Sequence, residues 1–286
     1  MYICGIAVGK NKNMERFITG NKFKEIADFT FSSQPKHSDD YYSLPNTYNP
    51  DSIKDGYIIY TDTGYVQEFF NIVSKLDKQI TLITHNGDID INIIPPANII
   101  KWFTINVDII HSKIESIPLG LENSLWFPGT HKKEKMIAKL SESRDYRNLA
   151  YMDHNVGTNL STRLRLYQIY EDESWVTANR GSNRQSFITG KFGEYLDNVY
   201  NHKFVFSPEG NSIDTHRKWE ALYLGTIPIE RRNINNQFYT DLPICFVDDW
   251  ENVTEDFLES EYTRIKSSKW NMDKITFEYW RNKIKL

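Results

Sequence analysis

The sequence predicts an α/β protein with two Rossmann-like lobes, each built on a parallel sheet, and a cleft between them. Three observations support this fold class. Short apolar runs of strand length alternate with stretches of helical periodicity. This alternation occurs twice, on either side of a polar region around residues 126–147. Several of the apolar runs are uniformly hydrophobic and end in polar residues, which suits buried parallel strands.

The first alternating region lies within residues 1–125, which we assign to an N-terminal lobe. Residues 29–56 are polar and turn-rich, so they predict a long irregular connection. A strand, a helix and a second strand follow within some thirty residues, which is the length of a βαβ unit. The strands predicted in this lobe are 56–62, 80–84, 99–104 and 114–119, and the helix is 66–76.

A charged segment at 126–147 is predicted to be a hinge between the lobes, and residues 148–255 form the C-terminal lobe. The tail, 256–286, has helical periodicity and can pack back on the N-terminal lobe. The elements predicted in the C-terminal lobe are strands 149–152, 175–178, 203–207 and 226–230, and helices 162–170, 187–200 and 215–224.

Charge and hydropathy exclude some classes of partner. The 286-residue chain carries a net charge of −4 and has no basic tail. Nucleic acids and anionic membranes attract clustered Lys and Arg, so we expect neither as the main partner. The apolar start of the chain is eight residues long, against the ~20 that span a bilayer. We therefore expect a soluble, cytoplasmic protein without a transmembrane segment.

The most informative segment is 203–229, which reads as a strand, a Pro-Glu-Gly turn, a short loop, a helix and a return strand. Asp214 is the predicted N-cap of the helix. The helix N-terminus and loop amides favour an anion, and Arg217 can hold a diphosphate with two parallel hydrogen bonds. Glu220 follows on nearly the same face and can accept hydrogen bonds from ribose hydroxyls. The plainer alternative is a capped surface helix with an Arg217–Glu220 ion pair.

The residues Phe206-Ser-Pro-Glu-Gly, Arg217, Glu220-Ala-Leu and Gly225-Thr-Ile-Pro-Ile resemble the donor-binding motif of exostosin-like glycosyltransferases, family 47. The resemblance covers about thirty residues. It implies the two-lobed GT-B fold and a hexosyl- or pentosyltransferase, with a nucleotide diphosphate sugar as donor and UDP as the expected nucleotide. The residues that it places at the nucleotide sugar are Ser207, Glu209, Gly210, Asp214, Thr215, Arg217 and Glu220.

The sequence departs from this pattern at two positions. Thr215 stands where exostosin-like proteins have serine, and Glu209 occupies the variable position between proline and glycine. The segment is also similar, more distantly, to the α1,3-fucosyltransferase motif. Arg217 replaces the lysine of that motif, which weakens the case for a GDP-fucose donor.

A second loop follows the predicted strand 149–152 and precedes a helix, so it faces the same edge of the sheet. In related GT-B enzymes the equivalent loop contacts the phosphates or the donor sugar. Asn155, Thr158 and Arg163 are the candidates for this role here. The alternative is a capped helix with Arg163 in solvent.

Inverting transfer needs a base for the acceptor hydroxyl, and in two-lobed enzymes it usually comes from the N-terminal, acceptor-side lobe. The candidates at strand ends are Asp88, then His85, then Asp62. His85 can also be an ordinary strand-end histidine. Asp88 and Asp90 spell Asp-x-Asp, a metal-holding signature of the other glycosyltransferase fold. We expect no metal and no cofactor, because arginine and helix dipoles can stabilise a leaving diphosphate.

The expected partners are a nucleotide-sugar donor and a glycan acceptor. Three other functions stay open on the sequence: a non-catalytic carbohydrate-binding protein, a GDP-fucose-dependent fucosyltransferase, and a two-lobed epimerase of nucleotide sugars. Binding of nucleoside diphosphates would distinguish the first of these from the others.

Overall fold

The computed structural model describes residues 16–32, 46–123, 127–180 and 192–286, without the side chains of 127–131. Within these residues the chain forms two sheets of five strands each, and every strand pair is parallel. The predicted fold class, with two Rossmann-like lobes of the GT-B type and a cleft between them, is confirmed.

The N-terminal sheet has its strands in sequential order, β1-β2-β3-β4-β5. Its apolar runs, rich in isoleucine, are buried on both sides of the sheet, as parallel strands require. The elements of this lobe are α1 (Gly20–Lys24), β1 (Phe29–Phe31), β2 (Ile58–Asp62), α2 (Val66–Val73), β3 (Ile80–His85), β4 (Ile99–Thr104) and β5 (Ile114–Ser116).

Strand β1 corrects the prediction that 29–56 is an irregular connection. Its three residues lie beside β2, with Phe29 opposite Ile59. Phe31 is buried against Phe69 at a ring distance of 5.2 Å. A three-residue strand carries too short a pattern to be recognised alone, so pairing with β2 and burial of Phe31 produce it.

The C-terminal sheet has the order β7-β6-β8-β9-β10, which is 2-1-3-4-5 within the lobe. This doubly wound order reverses direction between β6 and β8, and ligands bind outside the carboxyl ends of strands at such a point.

Strand β10 was not predicted, and residues 187–191 of the predicted helix lie outside the described residues. The elements are α3 (Phe127–Lys139), β6 (Asn148–His154), α4 (Leu160–Tyr170), β7 (Val176–Arg180), α5 (Phe192–Tyr200), β8 (His202–Phe206), α6 (His216–Leu224), β9 (Ile227–Arg231), β10 (Cys245–Val247), α7 (Glu255–Ser267) and α8 (Phe277–Lys285).

The start of α6 corrects another prediction. Thr215, not Asp214, has the N-cap backbone conformation, and no side chain caps the helix. The buried Asp214 carboxylate instead accepts a hydrogen bond from Trp219 Nε1 at 3.2 Å and pairs with Lys218 at 2.8 Å. The amide N–H groups of the first turn therefore have no side-chain cap, and they can bind a ligand.

The two lobes share a hydrophobic core. One cluster of buried side chains contains Tyr60 and Phe103 of the N-terminal lobe together with Tyr151 and Trp219 of the C-terminal lobe. Met136 of α3 belongs to the same cluster, so the segment predicted as a hinge also packs as a helix. This shared core ties the lobes together beneath the cleft.

The tail divides between the lobes. Helix α7 packs on the C-terminal lobe, where Leu258 and Ile265 are buried. Helix α8 reaches the N-terminal lobe: Phe277 contacts Phe23 at a ring distance of 5.7 Å, and Lys283 pairs with Glu115. In the part of the chain that the structure describes, every helix is too short or too polar to cross a bilayer.

Candidate functional site

Two adjoining cavities open at the carboxyl ends of the strands. The C-terminal cavity has a volume of about 850 Å³ and lies around the start of α6 and the end of β6. The interlobe cavity has a volume of about 550 Å³ and lies between α6 and the ends of β2 and β3. They form one continuous cleft, because the same side chains line both: Glu122, Thr158, Arg163, Asn211, Thr215 and His216.

The cleft brings together most of the residues that the sequence singled out. Those in the C-terminal cavity are Asn155, Thr158, Arg163, Thr215, Arg217 and Glu220. Those in the interlobe cavity are Asp62, His85, Asp88, Thr158, Arg163, Gly210, Asp214 and Thr215. Ser207 and Glu209 line neither cavity.

Arg217 has the geometry of a ligand-binding side chain. It stands in the uncapped first turn of α6 and lines the C-terminal cavity. Its guanidinium lies 5.8 Å from the centre of the Tyr195 ring. Its Nε is buried and has no hydrogen-bond partner among the described residues. An unsatisfied buried donor is costly, so a ligand acceptor at this atom would stabilise the site.

Glu220 lies at the centre of a buried network on the cavity wall. Its carboxylate accepts hydrogen bonds from Lys132 Nζ at 2.6 Å and from the Tyr195 hydroxyl at 2.5 Å. Burial acts to raise the pKa of Glu220, but the adjacent Lys132 ammonium outweighs it and holds the pKa below its ordinary value. Glu220 is therefore an ionised acceptor.

Lys132 is a site residue that the sequence did not reveal, because it lies in the predicted hinge. It pairs with Glu122 at 3.2 Å as well as with Glu220. Its position in α3 brings the segment between the lobes to the wall of the C-terminal cavity.

Arg163 joins the two loops at the point where the sheet order reverses. Its Nε donates to the Glu209 carbonyl at 2.9 Å, and its Nη2 donates to the Pro208 carbonyl at 3.1 Å. Its Nη1 donates to the Asn155 carbonyl at 3.0 Å and to Thr158 Oγ1. Burial lowers the pKa of Arg163 to about 10, with a further contribution from nearby Arg217.

These contacts bear on the predicted role of Arg163. Four of its five N–H groups are used within the protein, so little donor capacity remains for a phosphate. The alternative of a solvated Arg163 is wrong, because only 7% of the residue is exposed. A Cβ at Gly210 would lie 2.8 Å from Arg163 Nη2, so any larger residue here requires the guanidinium to shift away from its hydrogen-bond partners.

Ser207 and Glu209 lie outside both cavities and contact residues that adjoin them. Ser207 Oγ lies 2.9 Å from Thr215 Oγ1 and 3.4 Å from the buried Glu230 carboxylate. The Glu209 carboxylate pairs with Arg231 at 3.2 Å. These contacts position the turn and the start of α6. The geometry does not support the predicted contacts of Ser207 and Glu209 with the nucleotide.

The three base candidates have different surroundings. His85 is buried: its Nδ1 accepts from the Asn86 amide at 2.8 Å, and its Nε2 lies 3.1 Å from the Pro118 carbonyl. Both ring nitrogens are thus occupied, and burial lowers the pKa of His85 to about 4. This geometry argues against the role of His85 as the base.

Asp62 lies at the end of β2. Burial raises the pKa of its carboxyl group, which accepts a hydrogen bond from the Tyr60 hydroxyl at 2.9 Å.

Asp88 is exposed and contacts the opposite lobe. It accepts a hydrogen bond from Asn211 Nδ2 at 3.0 Å, and Asp90 accepts one from the Ile213 amide at 3.2 Å. The two carboxylates of the Asp-x-Asp pattern thus hold the loop before α6. Among the described residues, no three histidine, cysteine or acidic side chains are grouped as metal ligands.

No family model matches the sequence, and neither does any curated protein. Among solved structures, the chain is similar to the crystal structure of the GtfA/B complex, with 8% identity and a TM-score of 0.38 over 82% of this chain and 58% of that chain. It is also similar to the UDP-GlcNAc 2-epimerase from Methanocaldococcus jannaschii, with 12% identity and a TM-score of 0.32 over 75% and 71% of the two chains. The chain spans less than two thirds of the GtfA/B chain that it matches. These similarities concern the overall chain plan and not the activity.

Proposed function

We propose that the protein is a glycosyltransferase that moves a sugar from a nucleotide diphosphate sugar to a saccharide hydroxyl. One observation carries the proposal: the uncapped start of α6, with the buried unpartnered Nε of Arg217, opens into a large cavity at the point where the sheet order reverses. Helix amides, a helix dipole and an arginine together form an anion site that suits a diphosphate.

The donor extends along the C-terminal cavity. Arg217 and the first amides of α6 hold the diphosphate, and the ionised Glu220 accepts hydrogen bonds from the ribose hydroxyls. UDP is the first choice of nucleotide, on the resemblance to exostosin-like enzymes. The donor sugar then lies where the two cavities join, next to the interlobe cavity that receives the acceptor saccharide.

The acceptor hydroxyl loses its proton to Asp62. This carboxylate lies at the end of β2 in the interlobe cavity, and burial raises its pKa, so it is a stronger base than an exposed aspartate. Asp88 lines the same cavity but is exposed and engaged with Asn211. We therefore place Asp62 ahead of Asp88 as the base of an inverting reaction.

The test is calorimetric titration of the protein with UDP, GDP and uridine. Arg217→Ala should weaken diphosphate binding by about 1.5 to 3 kcal/mol, the range for a hydrogen bond to a charged group, and leave uridine binding almost unchanged. Arg165→Ala is the matched control, because this arginine lies in α4 with its side chain 57% exposed and lines neither cavity.

The outcomes separate the candidate functions. An equal loss for UDP and uridine in Arg217→Ala would mean that the arginine supports the fold and not the phosphates. A folded protein that binds glycans but no nucleoside diphosphate would be a carbohydrate-binding protein. Nucleotide release in the presence of a donor sugar and a saccharide, scored over a donor panel, completes the test. Conversion of the donor sugar without transfer would indicate an epimerase.

A further inference from the structure

His216 is a cleft residue that neither the sequence motif nor the proposed function uses. It is the first residue of α6, immediately before Arg217, and it lines both cavities where they meet. A donor whose diphosphate lies at the start of α6 would place its scissile bond at this junction.

The hydrogen bond of the ring decides which nitrogen faces a ligand. His216 Nδ1 lies 2.7 Å from the Gly120 carbonyl oxygen. A carbonyl oxygen only accepts hydrogen bonds, so Nδ1 carries a proton and donates it. In the neutral ring Nε2 is then an acceptor that can gain a proton. Nε2 has no hydrogen-bond partner in the described parts of the chain.

Gly120 holds this carbonyl in place. Its backbone has φ of +67°, in the left-handed region that favours glycine. A Cβ at this position would lie 2.4 Å from the Ile18 carbonyl oxygen, so no other residue fits without a backbone shift. The N-terminal lobe thus presents a positioned acceptor that sets the tautomer of a histidine in the C-terminal lobe.

We propose that His216 becomes an imidazolium when the donor binds, contacts the diphosphate through Nε2–H, and gives this proton to the diphosphate as it leaves. The inference rests on the proposed function. As the bond between the anomeric carbon and the phosphate oxygen breaks, its electron pair passes to that oxygen, which takes the Nε2 proton. The acceptor oxygen forms the new bond to the anomeric carbon, and its own proton goes to Asp62.

The charges around His216 favour proton uptake once a diphosphate is present. A bound diphosphate adds negative charge beside the ring, and a nearby opposite charge favours the protonated imidazole. The titratable and charged groups that line the cleft with His216 are, in the C-terminal cavity, Glu122, Lys132, Tyr151, Asp153, His154, Arg163, Arg180, Glu194, Tyr195, Arg217 and Glu220 and, in the interlobe cavity, Lys24, Asp62, His85, Asp88 and Asp214.

The test measures protons taken up when UDP or GDP binds, by titration calorimetry in buffers of different ionisation enthalpy at pH 8. A terminal phosphate has a pKa of about 6, so the free nucleotide is already ionised at this pH and uptake reports on the protein. The wild type should take up a measurable fraction of a proton per bound nucleotide, and His216→Asn should take up none. Asparagine can still donate to Gly120 through its amide but has no group at the position of Nε2.

Two further variants make the result decisive. His216→Gln offers an amide donor to the phosphate without a titratable proton, so it should bind without uptake. His111→Gln removes a histidine that lines neither cavity and should behave as the wild type. Turnover of His216→Asn should fall by roughly 10²- to 10⁴-fold, with loss of the alkaline limb of the pH profile.

Nucleotide binding by the wild type without proton uptake would overturn this inference and leave the proposed function standing. Uptake that persists in His216→Asn would also overturn it, because another group would then be the one that gains the proton. Absence of any nucleoside diphosphate binding by the folded wild type would refute the proposed function, and the role of His216 with it.

Discussion

Replacing Arg163 with alanine should destabilise the protein far more than an ordinary arginine substitution. The guanidinium is buried and donates to three backbone carbonyls and one hydroxyl, which join the loop after β6 to the turn after β8. Each hydrogen bond of a charged donor is worth about 1.5 to 3 kcal/mol, and the four are not additive because they share one group. We expect the free energy of unfolding to fall by about 3 to 5 kcal/mol.

The measurement is urea unfolding followed by tryptophan fluorescence, with the midpoint compared at an unchanged denaturant slope. Arg165→Ala is the control in the same helix, since its side chain is exposed and pairs only with Glu251 among the described residues. Exposed ion pairs contribute about 0 to 1 kcal/mol, so this variant should unfold almost as the wild type does. Arg163→Lys keeps the charge but cannot reach four acceptors, and its loss should be intermediate.

A loss in Arg163→Ala no larger than that in Arg165→Ala would refute this reasoning. If stability were unchanged while nucleotide binding disappeared, Arg163 would be the phosphate contact that the sequence motif suggests. If Arg163 instead joins the two loops through its hydrogen bonds, Arg163→Ala loses stability directly. Weaker nucleotide binding is then a consequence of that lost stability.

Four further predictions follow from the cleft and its supports. Gly210→Ala should lower the free energy of unfolding by roughly 1 to 3 kcal/mol, measured by urea unfolding, because the new Cβ would lie 2.8 Å from a buried guanidinium; wild-type stability would contradict this close approach. Burial raises the pKa of Glu230 to about 7, so its contribution to stability is complete below its ordinary pKa of 4.5 and is lost as the pH rises through about 7. Glu230→Gln should remove this pH dependence of the unfolding midpoint, because glutamine does not titrate; an unchanged pH profile would count against it. Asp62→Asn should abolish turnover without weakening UDP binding, and Asp88→Asn should have a small effect; the opposite ranking would restore Asp88 as the base. Transfer should survive excess chelator, and its loss, reversed by a divalent cation, would show that a metal stabilises the leaving diphosphate.

The sequence determined the elements whose patterns are long enough to read locally. The predicted strands 80–84 and 99–104 and the predicted helix 162–170 lie within two residues of the observed elements. The strand, turn and helix of the segment 203–229 were also predictable, because a proline, glycines and a helix of regular periodicity follow one another in sequence. These features depend on neighbours in the chain.

The short strands and most side-chain roles depended on residues far away in sequence. Strand β10 has three residues and forms because β9 lies beside it. Asp214 lies next to a helix start and so resembles a cap, yet its carboxylate is drawn into the core by Lys218 and Trp219 and also accepts from the Leu119 amide of the other lobe.

The chemistry of the cleft was likewise settled by tertiary contacts. Lys132 reaches Glu220 across 88 positions of sequence, and His216 meets the Gly120 carbonyl across 96. The sequence named the segment that faces the cleft, because backbone direction and residue type are local properties. Only the tertiary structure decided which groups are buried, charged and free to bind, since those properties follow from the hydrogen-bond partners and the solvent exposure that folding brings about.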